Sequence, residues 1–133
     1  MKATNRLETI MTNMLINNVP EGYHMYYNRA AKGFVAYEDD SLACEHDDGN
    51  LVLCPCMYYH EWEVRKRFRE ILTDEESTIA SNYYSRKGYF RHLEETGLIC
   101  KYREAEDYVA VQVFEEWLLK NNIPFNWDNI VVL

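Results

Sequence analysis

A short stretch of the sequence concentrates the residue types that bind metals. The segment CEHDDGNLVLCPCMYYH runs from Cys44 to His60 and holds three of the chain's 4 cysteines and two of its 4 histidines. Structural zinc sites are tetrahedral and use four such ligands. The segment offers five of them, Cys44, His46, Cys54, Cys56 and His60. A structural zinc site is therefore one hypothesis for this segment.

The spacing of these residues favours a simpler interpretation. Structural zinc sites usually contain cysteine pairs separated by about two to four residues, whereas both close pairs here are separated by a single residue. Pro55, between Cys54 and Cys56, interrupts regular strand geometry because proline cannot donate to a sheet. We therefore expect Cys54 to pack as a small apolar residue and the others to lie in a loop.

No motif in the sequence specifies a reaction. It lacks a Gly-x-Ser-x-Gly elbow, a Walker loop and a dinucleotide fingerprint. Cys56 and His60 fall across a strand-to-helix junction, and their spacing does not establish the hydrogen bond that a nucleophile needs. Acidic pairs such as Asp39 and Asp40 are typical of a solvated loop. We therefore lean towards a protein that is not an enzyme.

Basic residues cluster in the second half of a chain whose formal net charge is -8. Cations next to aromatic rings contact phosphates and stack on bases, so nucleic acid is one candidate partner. Glutamates at i,i+4, as in Glu61–Arg65 and Glu63–Arg67, favour internal ion pairs instead. The candidate binding residues are Arg65, Arg69, Arg86, Lys87 and Arg91, with Tyr83, Tyr84 and Tyr89 nearby.

A tyrosine-rich segment at 23–38 is predicted to form a β-hairpin and suggests a second kind of binding surface. Tyr26 and Tyr27, with Tyr23 and Tyr37, exceed what one sheet face needs. Surplus tyrosine often marks a protein interface, including that of a homodimer. The alternative is that a helix covers the sheet and buries these rings, and the sequence does not separate the two.

The order of the predicted elements indicates a single α+β domain over 1–133. Thr73 or Asp74 is predicted to cap the second helix of the helical part, and Gly97 to end the third. The last helix is predicted over 105–122. The parts are an N-terminal helix over 1–19, a β-rich part over 21–56 with a hairpin and a third strand, a helical part over 60–123 with three to four helices, and a tail or edge strand over 124–133.

The N-terminal residues predict a cytoplasmic protein. Charged and amide residues interrupt the apolar pattern of MKATNRLETIMTNMLINN, which excludes a secretory core and a membrane span in that segment. We therefore expect reduced thiols and no association with a membrane.

Three segments of the second half form a recognisable layout, namely EWEVRKRF (61–68), RKGYFRHLEETGL (86–98) and FEEWLLKNNI (114–123). This layout resembles the bacterial family known as uncharacterised protein family 0158. In that family an aromatic-containing helix leads to a Gly-x-Phe-Arg segment and a final helix that ends in an aromatic pattern. The resemblance spans about residues 20–125 and implies no activity, because the family has none assigned.

Together these patterns predict a non-enzymatic binding domain of unknown function. We expect a protein partner, with nucleic acid on a basic helical face as the alternative. A small structural-zinc module over 44–60 is the second alternative.

Overall fold

The computed structural model describes residues 12–17, 19–38, 49–81 and 86–124. Within these ranges a three-stranded sheet consists of β1 (His24–Asn28), β2 (Gly33–Tyr37) and β3 (Leu51–Leu53). The helices in the same ranges are α1 (Glu61–Ile71), α2 (Asp74–Ala80), α3 (Arg86–Thr96) and α4 (Ile99–Lys120). A short π-helix (Asn13–Asn17) precedes the sheet, and a 3-10 helix (Met57–His60) leads directly into α1. The predicted α+β class is confirmed.

The predicted hairpin is present as β1 and β2. Asn28 ends β1, and its Oδ1 accepts hydrogen bonds from the backbone N–H groups of Ala30 and Ala31, at 3.0 Å each. Such side-chain caps are the reason that asparagine favours turns. Lys32 takes the left-handed conformation (φ 55°) and Gly33 then begins β2.

β1 is the central strand, antiparallel to both β2 and β3. The predicted third strand is present as Leu51–Leu53. The backbone N–H of Cys54 still donates to the carbonyl of Met25 at 2.9 Å. Pro55 comes next and has no N–H with which to continue the ladder.

The predicted helix ends are largely confirmed. Thr73 caps α2 through a capping box, in which its hydroxyl accepts from the N–H of Glu76 and the Glu76 carboxylate accepts from the N–H of Thr73. Gly97 follows α3 with φ +76°, a conformation that glycine adopts without strain. Asn122 has φ 53° after α4, where the N–H of Ile123 reaches back to the carbonyl of Leu118.

The predicted start of α4 is wrong by six residues. The helix begins at Ile99 rather than at Ala105. The charged residues 101, 103 and 104 resemble a loop in the sequence, but Leu98, Tyr102, Ala105 and Val109 recur at helical spacing and are all buried. Burial of that stripe keeps the intervening charges on the outside of the helix.

The chain divides into two compact units. One contains the described residues up to Tyr58 and from Ala110 onwards, and the other is Tyr59–Val109. The prediction of a single domain over 1–133 therefore stays a prediction. Most of the predicted N-terminal helix, and the predicted tail beyond Pro124, lie outside the described residues. In the described part of the chain, no helix is both long and apolar enough to cross a bilayer.

The first unit packs aromatic side chains between the sheet and the end of α4. The Phe34 ring lies 5.2 Å from that of Tyr27 and 6.2 Å from that of Phe114. Trp117 Nε1 donates to the carbonyl of Leu53 at 2.9 Å and ties α4 to β3. Tyr27, which the sequence leaves open to a surface role, is therefore part of the core of this unit.

The second unit, Tyr59–Val109, has its own aromatic core. Tyr102 of α4 lies edge-on to Phe68 of α1 at 5.3 Å and to Phe90 of α3 at 5.1 Å. Lys101 Nζ donates to Glu76 at 2.7 Å, which holds α2 against the start of α4. This ion pair and the cap at Thr73 lower the pKa of the Glu76 carboxyl.

Candidate binding site

The Cys/His segment is only partly within the described residues. Cys54 is buried, and this burial raises the pKa of its thiol. Cys56 is exposed, and His60 Nδ1 donates to Glu63 Oε1 at 3.2 Å. Cys44 and His46 lie outside the described residues. Among the residues that are described, no group of three or more potential ligands is placed to hold a metal.

Cys54 therefore packs as the small apolar residue that its sequence context predicts. The zinc hypothesis as a whole stays a prediction, because two of its five residues are not among those described.

The structure buries the two hairpin tyrosines that the sequence offers as binding residues. Tyr26 is 9% exposed and Tyr27 is 6% exposed. Tyr26 packs on Tyr37, with ring centroids 5.7 Å apart, and Tyr27 packs on Phe34. Their positions favour the alternative that these rings belong to a core, because side chains so placed offer a partner little surface.

The prominent exposed aromatic residues of the second unit lie where the 3-10 helix runs into α1. Tyr59 is 80% exposed and Trp62 is 68% exposed. Lys66, one turn beyond Trp62, is also exposed. We call Tyr59, Trp62 and Lys66 the aromatic face.

The helical period of α1 contains a sequence signal for the exposure of Trp62. Val64 and Phe68 define the buried side. Trp62 precedes Val64 by two residues, which is about 200° around a helix. The period alone therefore places Trp62 away from the core.

Several of the clustered basic residues lie close to carboxylates within the fold. Arg65 Nη2 lies 3.5 Å from Glu61 Oε1, as predicted. The predicted Glu63–Arg67 pair is not the one formed. Glu63 is bonded to His60, and Arg67 lies 3.4 Å from Glu70 with its guanidinium 3.9 Å from the Tyr108 ring centroid. Stacking on Tyr108 directs Arg67 away from Glu63.

Four of the clustered basic residues, Lys66, Arg69, Lys87 and Arg91, are exposed and form no ion pair with the described residues. Arg86 is the first residue of α3, and its side chain is outside the described part of the structure. The sequence therefore overstates the basic face, because internal glutamates compensate part of it.

Two of the predicted binding residues meet in a cavity of the second unit. Arg65 and Arg69, one turn apart on α1, line a cavity of about 370 Å³. The Arg65 guanidinium carbon lies 4.5 Å from the centroid of the Tyr89 ring. The complete lining is Arg65, Phe68, Arg69, Leu72, Ser77, Ala80, Ser81 and Tyr89.

Tyr89 is a buried wall of this cavity rather than a free stacking surface. It is 8% exposed. Burial raises the pKa of its hydroxyl, and the positive charges of Arg65 and Arg69 act in the opposite direction. The hydroxyl is consequently a neutral hydrogen-bond donor at physiological pH.

Lys87 and Arg91 lie elsewhere on the unit. They line a second, shallower hollow of about 510 Å³ together with Phe90 and Glu94. The two hollows share no lining residue. The predicted basic residues are thus divided between two places instead of forming one continuous strip.

Comparisons of this chain with protein-family models, with curated proteins and with solved structures find no match. The resemblance to uncharacterised protein family 0158 stays a prediction.

Proposed function

We propose that this chain is a cytoplasmic, non-enzymatic binding domain whose partner is another protein. The observation that supports the proposal is the exposure of Tyr59 and Trp62 about one turn apart. Exposed tryptophan and tyrosine side chains supply large contact areas at low entropic cost, and they are enriched among residues that dominate binding energies. The aromatic face is therefore the docking surface in this proposal.

The size of the aromatic face favours a small contact over a stable homodimer. A tyrosine or tryptophan buries about 150 to 250 Å². The two rings together contribute about 300 to 500 Å², which is below the roughly 800 Å² per partner of a standard interface. A short segment of another protein, bound transiently, fits this area.

The charge beside the rings indicates what such a segment contains. Lys66 is exposed and has no ion-pair partner among the described residues. An acidic side chain in the partner would meet Lys66 while an apolar side chain packs against Trp62. We therefore expect the partner segment to carry an apolar residue close to an aspartate or glutamate.

Selection of peptides against the purified protein tests this proposal. A random peptide library displayed on phage would be selected against the immobilised chain, and the enriched peptide measured by calorimetry. We expect Trp62→Ala to weaken its binding at least about tenfold, since truncating a central aromatic residue typically costs more than 1 to 2 kcal/mol.

The matched control is Leu119→Ala, which removes another highly exposed apolar side chain, in this case 77% exposed. We expect it to bind the peptide as the wild type does. Equal affinity of the wild type and Trp62→Ala for every enriched peptide would contradict the proposal.

Nucleic acid is the second candidate partner, and the hollow beside α3 supports it. Lys87 and Arg91 line it together with Phe90, and Glu94 is the one carboxylate of the lining. Two cations beside an aromatic residue suit a phosphate and a stacked base. We expect the affinity for a single-stranded oligonucleotide to fall steeply with salt, and Lys87→Glu combined with Arg91→Glu to abolish it. Lys120→Glu is the control for a general charge effect. Binding that survives the double charge reversal would contradict this candidate.

A further inference from the structure

We propose that the cavity lined by α1, α2 and α3 binds a small organic phosphate, meaning a phosphate monoester on a compact apolar group. The cavity belongs entirely to the Tyr59–Val109 unit. It does not include the aromatic face, so the proposal stands independently of the protein partner.

The charge of the cavity wall supports an anionic ligand. Two arginines line it, and none of its lining residues carries a carboxylate. Arg65 has one long contact, 3.5 Å, with Glu61, whereas Arg69 forms no ion pair with the described residues. A guanidinium stays charged at every physiological pH. The cavity therefore holds positive charge that the fold only partly compensates, in a chain of net charge -8.

The geometry of Arg65 prepares it for an oxyanion. Its guanidinium stacks on Tyr89, 4.5 Å from the ring centroid. A guanidinium held by its face presents N–H groups along its edge, and these match the spacing of phosphate oxygens. Arg69 lies one turn further along α1 and lines the same cavity. Both arginines thus border one volume, and the positive charges of both act on the Tyr89 hydroxyl that faces them.

Hydroxyl groups complete the polar part of the lining. Ser77 lies on α2. Ser81 follows one turn later, but its hydroxyl already donates to the carbonyl of Thr78 at 3.0 Å, which leaves Ser77 as the serine donor of the lining. The Tyr89 hydroxyl belongs to a buried residue of α3. Hydroxyl groups donate readily to phosphate oxygens. A phosphate has enough oxygens to accept from both arginines and from a hydroxyl, whereas a carboxylate has two oxygens to share among them.

The remaining surface indicates that the phosphate is attached to an apolar group. Phe68, Ala80 and Leu72 form the apolar part of the lining. The volume of about 370 Å³ is within the usual range for small-molecule sites. Inorganic phosphate alone would leave these side chains without a partner.

The charge and the surroundings of the phosphate distinguish a monoester from a nucleic-acid backbone as a ligand for this cavity. A phosphate monoester carries about 1.5 to 2 negative charges at neutral pH. A backbone diester carries one charge and is flanked by sugars on both sides, which hinders entry into a cavity between helices. A terminal phosphate on a small molecule meets neither restriction.

Calorimetric titration of the full chain with phenyl phosphate tests the proposal. We expect saturable binding of one phenyl phosphate per chain, and binding of inorganic phosphate that is at least about tenfold weaker. Arg69→Gln should weaken phenyl phosphate binding by about ten- to a hundredfold, because it removes charge-assisted hydrogen bonds.

Arg103→Gln is the matched control. It removes the same charge from an exposed site on α4 where Arg103 pairs with Glu106, and we expect wild-type binding of phenyl phosphate. Circular dichroism on both variants establishes that each is folded. Arg69 is exposed, so its replacement should leave the fold intact.

Three outcomes would overturn the proposal. The first is no saturable binding of phenyl phosphate by the wild type. The second is an equal loss in Arg69→Gln and Arg103→Gln. The third is an oligonucleotide that displaces phenyl phosphate and loses more affinity in Arg69→Gln than phenyl phosphate does, which would assign the cavity to nucleic acid.

Discussion

The buried side chain of Tyr102, in the aromatic core of Tyr59–Val109, makes the stability of the fold depend on pH. Its side chain is 2% exposed. Burial, with smaller contributions from the carboxylates of Glu61 and Glu106, raises the pKa of Tyr102 to about 12. In the unfolded chain a tyrosine titrates near about 10. The unfolded chain then binds fewer protons than the folded one above that pH, so the free energy of unfolding must fall as pH rises.

We expect Tyr102→Phe to reduce this alkaline loss of stability. Phenylalanine keeps the edge-on packing, so the free energy of unfolding at neutral pH should change by less than about 1.5 kcal/mol. Urea titrations at about pH 8 and about pH 11 measure the difference, and the wild type should lose more stability between them. Tyr108→Phe, at a side chain 43% exposed, should behave as the wild type. An undiminished loss in Tyr102→Phe would show that another group causes it.

Thiol reactivity tests the interpretation that Cys54 packs as a buried apolar residue and that the Cys/His segment binds no zinc. Thiolates, not thiols, react with disulfide reagents. Cys54 is buried and the pKa of its thiol is raised, so it should react much more slowly than the exposed Cys56 and Cys100. We expect no bound zinc in protein purified without chelator, and no effect of chelator on these rates.

Elemental analysis on the same sample distinguishes the alternatives. About one zinc per chain, with Cys54 and Cys56 protected from the reagent until a chelator is added, would contradict the account. That result would make the 44–60 segment a structural metal site.

At the scale of the elements, local signals are sufficient for most of the secondary structure. The hairpin turn is encoded by Asn28 and Gly33, and the start of α2 by Thr73 and Glu76. These interactions join residues that are close in sequence, and sequence patterns therefore predict them. The start of α4 at Ile99 is also present in the sequence as the helical spacing of Leu98, Tyr102 and Ala105. The charged residues between them obscure this signal, and only tertiary packing shows which side of the helix is buried.

In the candidate sites, too, some features are predicted by local sequence patterns and others depend on tertiary packing. The helical period of α1 places Arg65 and Arg69 side by side and Trp62 away from the core, and both facts are contained in the sequence. The cavity also needs Ser77 and Tyr89 from two other helices. Tertiary packing brings these two residues to the arginines, and the sequence does not reveal it. From the sequence alone, the arginines are therefore predicted to belong to a basic surface that binds nucleic acid. The burial of Tyr26 and Tyr27 also depends on tertiary packing, so the sequence does not reveal it.

The cap of α2 gives a prediction at this scale. Thr73→Ala removes the hydroxyl that accepts from the N–H of Glu76 and should lower the free energy of unfolding by about 1 kcal/mol. Thr78→Ala is the control within the same helix, since the Thr78 hydroxyl only bonds back to the carbonyl of Asp74 and its loss should cost less than about 0.5 kcal/mol. Urea denaturation measures both. An equal decrease in the free energy of unfolding for the two substitutions would contradict the claim that the Thr73 cap stabilises α2.

At the scale of the molecule, the proposed binding roles fall on one of the two compact units. The aromatic face, the cavity and the hollow beside α3 all belong to Tyr59–Val109. The other unit uses aromatic rings of its hairpin for its own core. Most of the net charge of -8 lies in the other unit, because Tyr59–Val109 holds nine basic and eleven acidic residues and so has a formal charge of -2.

The central claim is that a partner segment docks on the aromatic face, and the indole N–H resonances of the tryptophans test it most directly. A ¹⁵N-labelled sample would be titrated with the selected peptide, with Trp62→Phe used to assign the Trp62 signal. We expect the Trp62 indole signal to move to saturation. The signal of Trp117, whose Nε1 is bonded to the carbonyl of Leu53, should stay in place. A peptide that binds while the Trp62 signal stays fixed would contradict the account.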